Sequence, residues 1–451
     1  MDKEQIQFYH EKDQKNIWHG MRPAKVKQSL IAAKADGAWV TDIEGNRYLD
    51  GMAGLWSVNA GYGRKEIAEA AYAQMLEMPF YPLMQSHTAA IELSEKLNEW
   101  LDDDYVYFFS NSGSEANETA FKLVRQYYEQ KGEPNRHKFI SRYRSYHGNT
   151  IATLAATGQA QRKYKYEPLA PGFLHVSPPD CYRCPFGKTK DSCNLECASE
   201  IERTMTWELD DTVAAVIMEP VITGGGILVP HDDYMKKVRE ICDEHGALLI
   251  SDEVICGFGR TGKKLGYMNY DVKPDIITMA KGLTSSYLPL SATAVKREIY
   301  EAFQGEDKHD HFRHVNTFGG HPASCIVAIK NLEILESEKL VERSAELGER
   351  LLDEMSELKD LPQVGDIRGK GLLLGIELVK DKQTKQPADE DLLKRIVAAC
   401  KQHGLIISKT SDTVAGFNNI LTLSPPLSIT DDDFTFIVKT MKDAIKSELG
   451  S

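Results

Sequence analysis

No stretch of this chain approaches the apolar length of a membrane span, which argues against a helical membrane protein. The first residues, MDKEQIQFYHEKDQKN, are polar and lack an apolar leader core. No secretory signal is read there, and a cytoplasmic location is expected. Positive charge is in deficit: 54 Lys and Arg stand against 67 Asp and Glu, a formal net charge of −13. That balance disfavours nucleic acid and anionic membranes as partners. Internal repeats and low-complexity linkers are also missing. The 451 residues are too many for one compact core, and the length alone predicts two or three domains.

Cysteine is sparse, with eight in the chain. Cys242, Cys256, Cys325 and Cys400 are scattered, mostly in apolar contexts that suit buried free thiols. Cys181, Cys184, Cys193 and Cys197 are clustered with the spacing C-x2-C-x8-C-x3-C. Four thiolates so spaced suit a tetrahedral zinc site. A loop of free thiols is the simpler reading and the one expected here, and a cytosolic disulfide is disfavoured.

What the sequence does contain is an alternation of short β-rich runs and helices. Residues 37–50 read as a hairpin turning at Glu44-Gly45-Asn46. Residues 64–78 and 88–101 have helical periodicity. The phrases VYFFSNSG, HKFISRYRSYHG, TVAAVIMEPV, ALLISDEV and DIITMAKG each end an apolar run on polar or glycine residues. Helical stretches such as 233–245 intervene. This pattern predicts an α/β fold with a doubly wound, mostly parallel sheet, whose ligands bind beyond the carboxyl ends of the strands. From about 322 onward, helices (322–357, 389–403, 431–448) and a strand within 369–381 predict a smaller α/β domain.

Several residues fall at predicted strand ends. Lys281 follows the apolar run IITMA, an unusual place for lysine. Asp252 closes the run LLISD, and an acid and an amine so delivered suggest a buried polar site. An amine in a dry pocket is a potential imine-forming nucleophile, and a nearby acid can keep a pyridinium nitrogen protonated. A structural ion pair explains the two residues equally well. Gly113 and Ser114, in Asn111-Ser112-Gly113-Ser114-Glu115, lie where a helix N-terminus would favour a phosphate. An ordinary helix cap explains that phrase too. Tyr146 is suited to stacking on a planar ring, or to being an interface aromatic. Glu219 closes a strand before Pro220, as a supporting hydrogen-bond partner or a solvated charge.

Together these parts suit pyridoxal 5′-phosphate. With SNSGSEAN, YHG, MEPV, ISDEVICGFGRTG, PDIITMAKGL and NTFGGHP in this order over residues 110–323, the chain resembles the class III (ω-type) aminotransferases of fold type I. The resemblance implies that Lys281 binds the cofactor aldehyde as an imine and that Asp252 pairs with the pyridinium nitrogen. It implies that Val254 and Tyr146 pack on opposite faces of the ring, and that Gly113 and Ser114 hold the phosphate. Thr317 would reach the phosphate bound in the neighbouring subunit, which implies a homodimer with composite sites, with a tetramer as the next assembly. Trp56, in GLWSVNAGYG, resembles the pocket tryptophan of the ω-transaminase branch. The implied division is a large cofactor-binding domain over 61–325, and a small domain built from 1–60 and 326–451.

The sequence also lacks both arginines that usually hold substrate carboxylates in such enzymes. Thr422 stands where many glutamate-using members carry one, and the loop GLIISKTSDTVAGFNN has none. Lys409 is its nearest cation. The expected activity is therefore transfer of an amino group from an ω-amino acid or amine, of taurine, β-alanine or diamine type, to a small keto acid such as pyruvate. Its carboxylate would be bound by Lys409, by an arginine elsewhere, or by polar groups. The adenosylmethionine-8-amino-7-oxononanoate aminotransferase of biotin synthesis is the rival within the family. A mutase or decarboxylase on the same scaffold, or a non-catalytic α/β binding protein, are rivals of other classes.

Overall fold

The computed structural model describes residues 1–21 and 30–450. Its centre is a seven-stranded sheet. In spatial order the strands are Tyr105–Ser110, Ser291–Lys296, Ile276–Met279, Leu248–Asp252, Val213–Met218, Lys138–Arg142 and Phe173–Val176. Ser291–Lys296 runs antiparallel to both its neighbours, and the pairs from Ile276–Met279 across to Phe173–Val176 are parallel.

The continuous apolar runs have a direct cause. Every residue of Val213–Met218 and of Ile276–Met279 is buried, as expected of strands covered on both faces. Neighbouring residues of one strand enter different cores. Ile217, Ile250 and Ile276 join a cluster with Phe121, Val124 and Tyr128 of the helix Gly113–Gln130. Val216, Leu249 and Ile277 join another with Val238 and Ile241 of the helix Tyr234–His245. Period-two side-chain alternation thus builds two hydrophobic layers from one sheet.

The two ends of the chain meet. Arg47–Asp50, the second strand of the expected hairpin, pairs in parallel with Leu405–Ile406. A third sheet carries Val364–Gly369, Leu374–Asp381, Ile420–Leu423 and Ser408–Lys409 in antiparallel order. The expected helices appear as Lys65–Glu77, Thr88–Leu101, Pro322–Ser337, Leu340–Ser356, Glu390–Gln402 and Asp431–Leu449. Several elements were not read from the sequence: the N-terminal helix Lys3–Asn16, which buries no residue, the helix Glu196–Glu208, and the strands Phe173–Val176, Ser291–Lys296 and Val364–Gly369 among them. Among the described residues, no helix is long and apolar enough to cross a membrane.

Candidate active site

The parallel strands deliver their polar ends to one place. Asp252 is the last residue of its strand and is 3% exposed. Its Oδ2 accepts from His147 Nδ1 at 2.8 Å and from Asn117 Nδ2 at 2.9 Å, and its Oδ1 accepts from the Val254 amide at 3.1 Å. Three donors converge on this one carboxylate and fix its orientation. The same Asn117 amide donates to the His147 carbonyl at 2.7 Å, so one side chain fixes both the acid and its histidine. Neither His147 nor Asn117 had been assigned this role from sequence. The signal for Asn117 was periodicity: it lies one helical turn beyond Gly113, on the helix that opens at the phosphate-type turn.

Glu219 follows the strand Val213–Met218 and is almost wholly buried. Its carboxylate accepts from the Tyr146 amide at 3.0 Å, and from the Thr223 amide and hydroxyl at 3.1 and 2.7 Å. Burial pushes its pKa up; the charge of His147 opposes this and that of Asp252 adds to it. Glu219 therefore fixes the backbone that carries Tyr146.

Lys281 sits two residues beyond its strand with φ +46°, in the left-handed region uncommon for a non-glycine residue. The turn is secured from outside. Asn331 Nδ2 donates to the carbonyls of Gly282 and Leu283 at 2.8 and 3.0 Å, and a Cβ on Gly282 would lie 2.5 Å from Asn59 Nδ2. Burial pulls the Lys281 pKa down to about 8, Arg162 assists, and Asp252, Glu219 and Cys256 oppose it. The amine lies 5.9 Å from the centre of the Trp56 ring, whose indole N–H is buried without an acceptor among the described residues.

The phosphate-type turn opens the helix Gly113–Gln130. Ser112 Oγ accepts from the Glu115 amide at 3.2 Å, and Glu115 Oε2 accepts from the Asn111 and Ser112 amides at 2.8 and 3.0 Å. This reciprocal cap leaves the first helical amides, those of Gly113 and Ser114, with no intrahelical partner. A Cβ on Gly113 would lie 2.8 Å from both methyls of Val254, so the helix start touches the residue just past Asp252. The Ser114 hydroxyl donates to Asn149 Oδ1 at 2.9 Å.

Lys409, expected as a substrate ligand, has protein partners in this structure. It donates to Glu390 at 2.7 Å and to the Thr410 carbonyl at 3.3 Å, so a local ion pair on the helix Glu390–Gln402 takes up its charge. A residue that sequence reasoning left unnamed stands beside Tyr146. The Arg162 guanidinium lies 5.1 Å from the centre of the Tyr146 ring. Thr317 is exposed.

The four clustered cysteines line one cavity of about 30 Å³ together with Asp180, Lys188 and His231. Burial raises the thiol pKa of Cys181, and that of Cys197 to about 12. Among the described residues, the one group of three ligand-type side chains with donor atoms within 4.8 Å of one another is Glu202, Glu244 and His245. Cys181, Cys184, Cys193 and Cys197 are thus not gathered at metal-ligand spacing. The scattered thiols Cys242, Cys256, Cys325 and Cys400 are all buried, as expected.

Comparison with known proteins gives this geometry a context. Residues 21–445 match the family model of the class-III aminotransferases. An uncharacterised aminotransferase, YhxA, of Bacillus subtilis (strain 168) is 65% identical, over 98% of this chain and 98% of its own. The taurine–pyruvate aminotransferase of Bilophila wadsworthia is 44% identical, over 94% of each chain. The crystal structure of a Bacillus anthracis aminotransferase superposes with a TM-score of 0.97 at 63% identity, covering 99% of this chain and 100% of that one. Class III aminotransferases use pyridoxal 5′-phosphate. A match across nearly the whole chain, on a strand-end site of this composition, places the protein in that family: it is a class III aminotransferase with the fold type I architecture of the pyridoxal-phosphate transaminases.

Proposed function

We propose that this aminotransferase moves an amino group from an ω-amino acid or amine to pyruvate, in alternating half-reactions at one pocket. The observation that carries the chemistry is the pairing of a half-buried amine, Lys281, whose pKa is drawn down to about 8, with a buried carboxylate, Asp252, held by His147 and Asn117. The residues suit pyridoxal 5′-phosphate. Asp252 can hold the pyridinium N–H, Tyr146 and Val254 can flank the ring, and the amides of Gly113 and Ser114 can take the phosphate. When bound, the cofactor supplies an electron sink that weakens the substrate Cα–H bond. Lys281 would hold it covalently at rest, and the freed amine would serve as the base that moves the proton at the substrate carbon.

Donor and acceptor rest on the pocket and on similarity. The loop 404–419 contains no arginine and Thr422 is not one, which disfavours a dicarboxylate acceptor with two acid groups to hold. The 44% identical relative is named for taurine and pyruvate. The exposed Thr317 supports a homodimer in which it serves the neighbouring site.

A half-reaction screen tests the reading. Cofactor-loaded enzyme is mixed with taurine, β-alanine, putrescine, an aromatic amine and S-adenosylmethionine, and bleaching of the cofactor absorbance is followed. Pyruvate or 2-oxoglutarate then regenerates it. Fast bleaching by ω-amino donors with recovery by pyruvate is expected. Preferential response to S-adenosylmethionine, or recovery only by 2-oxoglutarate, overturns the assignment.

A further inference from the structure

The pocket is missing the two arginines expected to read a substrate acid, and Lys409 is paired with Glu390. Other nearby cations are engaged as well. Arg144 pairs with the buried Asp180 and also donates to the Gly225 carbonyl. Arg183 and Arg368 share the fully buried Glu377. Arg162 differs from all of these. It is half-buried, and no carboxylate pairs with it among the described residues. Its Nε donates to Gln159 Oε1 at 2.6 Å, and its Nη1 has only the Met21 sulfur at 3.5 Å, a weak acceptor.

Its position is fixed, and it faces the chemistry. Gln159, which holds it, is itself bound to the Arg144 carbonyl at 3.0 Å. The guanidinium covers the Tyr146 ring, and its charge depresses the Lys281 pKa and opposes the upward shift at Tyr146. Stacking on a cofactor needs only one face of Tyr146, so both contacts are compatible. The arginine-free loop docks on the same segment: the Gln161 amide donates to the Thr413 carbonyl at 3.1 Å, and Asn418 Nδ2 donates to Gln161 Oε1 at 3.0 Å.

We propose that Arg162, on the four-residue helix Ala160–Lys163, is the residue that binds the acid group of the substrate. The ligand class is a small carboxylate or sulfonate whose reacting nitrogen or carbonyl lies a few bonds from the acid. A guanidinium fork matches both anions with two parallel hydrogen bonds, and its seat over Tyr146, the side chain suited to flank the cofactor ring, fits a short substrate. The assignment rests on the reading of the pocket as an ω-amino acid:pyruvate transaminase. It places the anion seat on the segment after Tyr146 rather than on the loop 404–419.

The test uses holoenzyme of the wild type, Arg162→Met and Arg162→Lys. Single-turnover rates are measured with β-alanine and taurine against putrescine and 1-phenylethylamine, which have no acid. The return half-reaction is measured with pyruvate against butanal. Binding of isethionate, a sulfonate without an amine, is measured by calorimetry. Arg162→Met is expected to lose about 100-fold in kcat/KM for substrates bearing an acid, and to change less than about threefold for those without one. Isethionate should bind at least about tenfold more weakly, and Arg162→Lys should recover part of each loss, since it restores charge without the fork. A loss confined to the donors or to pyruvate would assign the seat to that partner. Equal losses for charged and uncharged substrates, or none for the charged ones, overturn the proposal. Wild-type rates decide the function reading separately, because the ratio of variant to wild type can be taken with whichever acid the wild type accepts.

Discussion

Lys281 carries an unusual burden for a lysine: it is half-buried, in a left-handed turn, with a pKa of about 8 against the ordinary 10.5. Between those two values the unfolded chain binds the proton and the folded chain does not, so stability contributed by this group rises with pH across that window. In cofactor-free protein, Lys281→Met should therefore raise stability at pH 7 by an amount on the order of 1–3 kcal/mol, given partial solvation of the amine. The difference should shrink as pH approaches 10.5, and thermal melts at several pH values check it. Lys281→Ala in the loaded enzyme should abolish turnover while some cofactor stays bound, and ordinary multiple turnover by that variant would remove the lysine from its role. Asp252 depends on two neighbours rather than on its own position alone. Asn117→Leu removes one of three donors and strands the carboxylate beside an apolar group, a loss of about 1.5–3 kcal/mol for a charged acceptor. Cofactor affinity should fall in that variant, because Asp252 loses one of the donors that aim its carboxylate; spectroscopic titration with the cofactor checks it.

At the scale of elements, the site is a junction between a helix start and a strand end. Gly113 begins the helix Gly113–Gln130 against Val254, and an added methyl there would meet two methyl groups at 2.8 Å. Gly113→Ala should cost about 1–3 kcal/mol by overpacking and weaken cofactor retention, whereas adding Val254→Ala should recover most of the stability. If the double variant is as unstable as the single, the cost lies in the helix start and not in this contact; chemical denaturation decides. The strand ends were legible because a parallel sheet buried on both faces needs unbroken apolar runs, and the first polar residue after each run marks the rim. Lys281, Asp252 and Glu219 were found that way. Arg162 was not, because its helix has only four residues and no periodicity to read, and its contact with Tyr146 is made across two short helices, Ile151–Ala156 and its own. The partner of Lys409 was hidden for a related reason: its neighbourhood could be read from the sequence, but Glu390 lies on a helix that only the fold brings alongside. The strand Val364–Gly369 was missed because its burial pattern shows neither clean alternation nor a continuous run.

At the scale of the whole molecule, an apolar patch is left exposed. Phe80, Tyr81 and Met84 are exposed on one segment, and Val315 and Phe318 on another. Phe80 and Phe318 lie with ring centres 6.1 Å apart, and His87 Nε2 is 2.9 Å from the Gly320 carbonyl, so the two segments form one patch. Thr317 sits within it. A contiguous exposed apolar patch marks an interaction surface, and self-association through it would carry Thr317 to a second copy's phosphate site. This arrangement makes a sharp prediction about mixed subunits. Lys281→Ala and Thr317→Arg variants are each expected to be nearly inactive, the first for want of the amine and the second because a bulky side chain invades the neighbour's phosphate site. If sites are composite, a hybrid dimer of the two contains one site with both lysine and threonine intact and one with neither. After dissociation and random reassociation at equal concentrations, half the dimers are hybrids, so about a quarter of wild-type activity should return. Size-exclusion chromatography establishes that dimers have re-formed before activity is read. Were each site complete within its own subunit, no combination could place an intact lysine and an intact threonine together, and the mixture would stay at the activity of its parents.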